Sequence, residues 1–180
     1  EKFVGRYPHV KSLALASEAQ LKQAVQGLGY YRRFDFLHRA AKVLAPKGSS
    51  RVSWPTSYDS WRNLPGVGDY TASALMSIAF DKPYPVVDGN VERVMSRVFC
   101  LPYSLGDPLL KKLSHEISSQ LISEKKPGSY NQGVMELGQN ICRPLSPKCE
   151  VCPVGSLCLA NSKNLVDNYP KPKPKKKFKN

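Results

Sequence analysis

Apolar residues recur at helical spacing along almost the whole chain, and this periodicity points to an all-α fold. The segment "SEAQLKQAVQGLGYY" opens with Ser17 and Gln20 at capping-box spacing and meets Gly27 and Gly29, which stop it. The next helix puts Phe34, Leu37, His38 and Ala41 on one face, with His38 read as a packed, hydrogen-bonded residue. From Thr71 a helix turns Leu75, Ile78 and Ala79 inward, and after "VDGN" another lines up Val91, Val94, Met95 and Val98. Asp107 before Pro108 begins a helix carrying Leu110, Leu113, Ile117 and Leu121. A last helix is expected from about Tyr130 to Ile141, with Val134, Leu137 and Ile141 facing in. Strand signals are limited to "YPVV". Residues 161 to 180, polar and rich in Pro and Lys, read as a disordered basic linker.

No run approaches the ~18 apolar residues of a membrane span, and no signal peptide opens the chain. A soluble, intracellular protein is expected, in the cytoplasm or nucleoid of a bacterium or the nucleus or mitochondrion of a eukaryote. Because residue 1 is Glu rather than Met, the start reads as processed or truncated. Of the net charge of +13, six units sit in the tail "KPKPKKKFKN", so the body keeps +7. Such a basic surface suits a polyanion, nucleic acid before membrane, with ordinary solubility charge as the alternative.

Three stretches carry chemistry. In "NLPGVGDYTA" two glycines, Gly66 and Gly68, flank Val67 before a helix, so backbone N–H groups and the helix N-terminus can hold a phosphate. A tight interhelical turn explains the pair equally well. Cys142, Cys149, Cys152 and Cys158 follow C-x6-C-x2-C-x5-C, four thiols within 17 residues. They can close on one metal centre, an iron–sulfur cluster or a structural zinc, although the wide first gap suits two zinc knuckles poorly. Cys100 stands apart as a core thiol. In "PVVDGNVERV", Asp88 sits where a helix begins, and an N-cap is its plainest role, open also to Asn90.

Together "QGLGYYRR", "LPGVGDYTASA", "VVDGNVERV" and "YNQGVMELGQNIC" resemble the adenine-specific mismatch DNA glycosylases of the MutY family, over residues 10 to 160. Endonuclease III-like enzymes differ in having Lys where this chain has Tyr70. The chain departs from the family at Phe36, where Asn is usual.

The resemblance implies a helix-hairpin-helix DNA glycosylase fold made of a six-helix-barrel module and a 4Fe-4S cluster module held by Cys142, Cys149, Cys152 and Cys158. Residues 1–82 would be the partial barrel, with the hairpin at about 62–80. Residues 83–160 would carry the catalytic Asp and the cluster, and 161–180 the linker. The reaction implied is hydrolytic removal of adenine opposite 8-oxoguanine or guanine in double-stranded DNA by a monomer. Asp88 would stabilise the sugar cation, and Asn90 would hold Asp88 and the flipped nucleotide in register. Tyr70 would hydrogen-bond near that nucleotide, and Gln132 would pair with adenine. Tyr30 would wedge into the duplex, although core packing is its alternative. Gly66, Val67, Gly68, Arg32, Arg33, Arg143 and Lys148 would meet phosphate. The family's general acid is a Glu on a helix upstream of the match to "FVGRYPHV"; Glu1 does not fit that motif, so a fragment lacking the acid is expected. A thymine mismatch or endonuclease III-like glycosylase, or a non-catalytic iron–sulfur DNA-binding module, are the rival readings.

Overall fold

The computed structural model describes residues 2–47 and 51–173. Glu1 and the last lysines of the tail lie outside the described residues. Short helices open the chain: α1 (Lys2–Arg6), α2 (Val10–Ala14) and α3 (Glu18–Ala24), followed by α4 (Tyr31–Leu44) and α5 (Tyr58–Arg62). α6 (Asp69–Ile78), α7 (Gly89–Phe99), α8 (Pro108–Leu121), α9 (Pro127–Glu136) and α10 (Leu159–Ser162) complete the α-helices among the described residues. The one β-feature there is an isolated bridge between Ser104 and Lys171, so the all-α expectation holds. The iron–sulfur module expected beside it is not supported, since among the described residues no three His, Cys, Asp or Glu side chains group as metal ligands. Among the described residues no helix is long and apolar enough to cross a membrane.

The chain divides into two units, Glu1–Ala72 and Ser73–Asn180. In the first, Leu13, Leu21, Val25 and Ala41 form a buried cluster, and Phe3 packs against Tyr7 and Phe34, each at 5.3 Å between ring centroids. The Ser17–Gln20 capping box is present, with Ser17 Oγ accepting from Gln20 N at 3.2 Å. His38 is buried and its Nε2 pairs with Ala16 O at 3.0 Å. Leu37, expected on the same face, is exposed, whereas the buried residues of α4 are His38, Ala40, Ala41 and Leu44, all further along the helix.

In the second unit α7 is the central helix, packed by α8, α9 and α10. Val91, Val94 and Met95 are buried as the periodicity predicts, yet Glu92, Arg93, Ser96 and Arg97 are buried too. A helix buried all round must bring partners for its polar face. α6 also departs from expectation: Ala72, Ser73, Met76 and Ser77 face in, while Ile78 is exposed. Small residues win that face. A Cβ on Gly128 of α9 would lie 2.9 Å from Ser77 O, so α9 and the end of α6 touch backbone to backbone. The helix expected from about Tyr130 to Ile141 begins earlier, at Pro127, and after Glu136 widens into a π-helix over Leu137–Ile141, with Cys142 N donating to Leu137 O at 2.7 Å. Cys100 is only half-buried, in a left-handed conformation that closes α7.

Residues 161–173, read as linker, are structured. Arg97 Nε donates to Val166 O and Tyr169 O at 3.1 and 2.9 Å, and Lys171 N donates to Tyr103 O at 3.0 Å. Composition hid this because the anchors are backbone carbonyls, which any sequence offers.

Candidate active site and DNA interface

The stretch "YPVV" leads to the start of α7, and one buried amide holds it there. Asn131 of α9, 1% exposed, accepts from Val86 N at 3.0 Å and donates to Tyr84 O at 2.9 Å and Ser77 Oγ at 2.8 Å. Replacing Asn131 by Ala would leave a buried N–H and a carbonyl without partners. Urea unfolding should show a loss of about 2–4 kcal/mol, at 1–3 kcal/mol for each stranded group.

Asp88, at the end of this stretch, is the N-cap of α7. Its Oδ1 accepts from Asn90 N and Val91 N, both at 2.9 Å, and its Oδ2 accepts from Asn90 Nδ2 at 3.0 Å. The carboxylate is half-buried, so capping fixes its direction without sealing it from solvent. Asn90 cannot flip its amide, because Arg93 Nη2 donates to its Oδ1 at 2.9 Å. The same guanidinium donates to Gly138 O at 2.7 Å and, through Nε, to Cys142 O at 2.8 Å. Burial pulls the Arg93 pKa down, with Arg97 adding to this and the Asp88 carboxylate opposing it. Gly138 makes the approach possible: a Cβ there would lie 2.8 Å from Asn90 Cβ and 3.0 Å from Asn90 O.

Sequence reasoning found Asp88 and Asn90 and missed Arg93, Gly138 and Asn131. A glycine inside the helical pattern "MELGQN" was the available signal for close packing. Arg93 looked like the solvated side of an amphipathic helix. Gln132, next to Asn131 on α9, is exposed.

The hairpin joins α5 to α6. Val67 N donates to Leu64 O at 3.1 Å across a turn with Pro65 second and Gly66 third, and Gly66 has φ +79, as a type II turn requires. Gly68 differs, because a Cβ there would meet nothing within 4 Å. Tyr70, in the first turn of α6, is 47% exposed. Tyr30 is 87% exposed and left-handed at φ 47, so it is not core. A bulky residue held in that conformation at the surface is strained. Arg32 and Arg33 are exposed on α4 after it.

The four cysteines of the C-x6-C-x2-C-x5-C pattern line one cavity of about 20 Å³, room for roughly one water. Among the described residues no three His, Cys, Asp or Glu side chains group as metal ligands. Cys158 Sγ donates to Arg97 O at 3.5 Å, and Cys142 Sγ accepts from Arg97 Nη1 at 3.4 Å. Burial pushes the Cys149 thiol up, and the neighbouring cysteines add to this. Without such a grouping, nothing among the described residues supports a cluster. The expected 4Fe-4S cluster, with Cys142, Cys149, Cys152 and Cys158 as its iron ligands, is corrected accordingly. In the same loop Arg143 Nη2 donates to Ser146 O at 3.1 Å, turning that side chain back on its own loop, whereas Lys148 is exposed.

Comparison with known proteins agrees with the motif reading. A family model described as HhH-GPD superfamily base excision DNA repair protein matches residues 1–119. The adenine DNA glycosylase of Schizosaccharomyces pombe is 38% identical over 161 residues, covering 88% of this chain and 34% of that protein. The adenine DNA glycosylase of Rattus norvegicus is 39% identical over 166 residues, covering 90% and 31%. A thermostable thymine-DNA glycosylase superposes with a TM-score of 0.77 at 30% identity, covering 90% of this chain and 74% of that one. An endonuclease III–DNA complex superposes at 0.71 with 25% identity, covering 90% and 73%. The chain thus spans about a third of the length of these two curated relatives. With the hairpin, the Asp-capped α7 and these similarities in hand, the chain belongs to the HhH-GPD superfamily of base-excision DNA repair proteins.

Proposed function

We propose that this chain carries the sugar-stabilising carboxylate of an adenine glycosylase, acting on adenine opposite 8-oxoguanine or guanine in duplex DNA. The observation that carries the reading is the Asp88 carboxylate, aimed by two backbone N–H groups and an amide that Arg93 holds in one orientation. In the reaction the bond between adenine and deoxyribose breaks, the electron pair leaves with the base, and water supplies hydroxyl to the sugar. Positive charge builds on the sugar meanwhile, and a pre-aimed carboxylate stabilises it without having to reorganise. Gln132, exposed near the grip of Asn131, offers the donor and acceptor that adenine's N6 and N7 require. Tyr70 and Asn90 would position the extruded nucleotide, and Tyr30 would fill the gap it leaves.

Excision also needs an acid for the departing adenine. The resemblance draws it from a Glu upstream of Phe3, so release is measured on the chain extended through that helix. Single-turnover assays with A:8-oxoguanine, A:G, T:G and oxidised-pyrimidine duplexes should show adenine released fastest. The likeness to a thymine-DNA glycosylase favours a second reading, in which thymine opposite guanine leaves first. Release of thymine alone would replace the adenine reading with that one.

Residues 62–80 would grip phosphates without reading bases. Open space beside Gly68 is where a phosphodiester would approach. Gly68→Val should therefore weaken binding about equally for matched and mismatched duplexes, by roughly tenfold in fluorescence anisotropy, with the melting curve little changed. Loss confined to one mismatch would show that the hairpin reads bases.

A further inference from the structure

α4 meets the hairpin turn through one aromatic ring. A Cβ built on Gly66 would lie 2.6 Å from Cγ and 3.2 Å from Cδ1 of Phe36, so that side chain presses on the turn's glycine. Two guanidinium groups flank the ring. Arg39 lies 4.7 Å from its centroid and Arg32 5.7 Å, as residues three and four positions away on one helix face should. Stacking the plane of a guanidinium on a ring limits its rotamers and leaves its edge N–H groups free to fork onto an anion.

Glu18 lines one surface cavity with Arg32 and Asp35, and two other acids near the turn have cations of their own. Asp35 pairs with Arg39 at 3.4 Å, but the two side chains are 64% and 52% exposed, and such a pair is weak and exchangeable. Asp69, at the start of α6, is held by Arg62 at 2.9 Å and by the Tyr58 hydroxyl at 3.0 Å. Among the described residues Arg32 pairs with no carboxylate.

We propose that Phe36, Arg32 and Arg39 form a shelf that extends the hairpin's grip to further phosphates of the same duplex, with Arg39 exchanging Asp35 for a phosphodiester on binding. The proposal rests on the reading of the hairpin as a backbone grip and is independent of which base is excised. Phe36 is its positioning residue: the ring is packed on Gly66 and holds both cations beside the turn.

The test uses the 180-residue chain and a matched duplex, with affinity measured by anisotropy across a series of salt concentrations. Neutralising one phosphate contact lowers the slope of log K against log salt by about 0.9. Arg32→Ala and Arg39→Ala should each lower it by about that amount and weaken binding several-fold on every sequence. The Arg39→Ala/Asp35→Asn double variant should keep the lower slope. Full recovery of affinity and slope would mean that Arg39 only masks Asp35, and would overturn its part in the shelf. Phe36→Leu keeps an apolar contact with Gly66 but offers no ring, and it should weaken binding without lowering the melting temperature by more than a few degrees. Unchanged slopes in both Arg variants would sink the shelf. Gly68→Val in the same series separates the two ideas: if it still weakens binding, the hairpin reading survives, and if it too has no effect, that reading falls first.

Discussion

Replacing Asp88 by Asn should slow base release by on the order of 10³-fold or more, the scale on which a pre-aimed electrostatic contact acts in a transition state, and should leave duplex affinity within a few-fold. The geometry makes the variant informative. Asn keeps the volume, and its carbonyl oxygen can still cap Asn90 N and Val91 N. Its amide nitrogen, however, would then face Asn90 Nδ2, which donates to Asp88 Oδ2 in the native protein. Asn90 cannot turn over to relieve this while Arg93 holds its oxygen. A donor facing a donor costs about 1–3 kcal/mol, so thermal melting should register a modest loss beside the large kinetic one. Single-turnover release and binding on the same upstream-extended chain separate the two. Unaltered release would remove Asp88 from the chemistry and leave it as a cap.

The largest stability effect is expected at Arg93. Arg93→Met fits the space roughly but strands Gly138 O, Cys142 O and Asn90 Oδ1 in a buried setting. Removing one partner from a buried charged network costs about 3–5 kcal/mol. Chemical denaturation should show that loss, and base release should fall further than the unfolded fraction explains, because Asn90 is then free to turn its oxygen toward Asp88. Arg93→Lys should recover less than half of the stability, since a point charge cannot reach three acceptors lying in different directions. A melting curve unchanged in Arg93→Met would show that these acceptors find other donors.

Much of this was legible beforehand because the relevant signals are local. The Ser17–Gln20 cap, the Asp107–Pro108 helix start, the Gly66 turn and the Asp88 cap each need only a few neighbouring residues to specify them. What the sequence concealed is tertiary. Arg93 and Arg97 look like the solvated face of a helix until other segments cover them. Asn131 looks like any polar residue in "SYNQG" until its partners arrive from 45 and 54 residues away. The inward face of α6 was misread because Ser73 and Ser77, not Ile78, are buried, and Gly128 of α9 comes up to the backbone at Ser77 and Ile78. The cysteine spacing suggested a metal, whereas among the described residues no three candidate ligands group around one point.

The burial of α7 on both sides bears on how this protein can vary. An amphipathic helix tolerates exchange on its outer half, and tolerance there usually follows polarity. α7 has no outer half between Val91 and Arg97. Val91, Val94 and Met95 are limited by volume, and Glu92, Arg93 and Arg97 by the number and direction of the bonds they supply. In a library covering every substitution, these seven consecutive positions would form an unbroken intolerant window, in which exchanging Arg for Lys is punished as severely as exchanging Val for a charge. The flanking helices would show the ordinary alternation of strict and permissive sites.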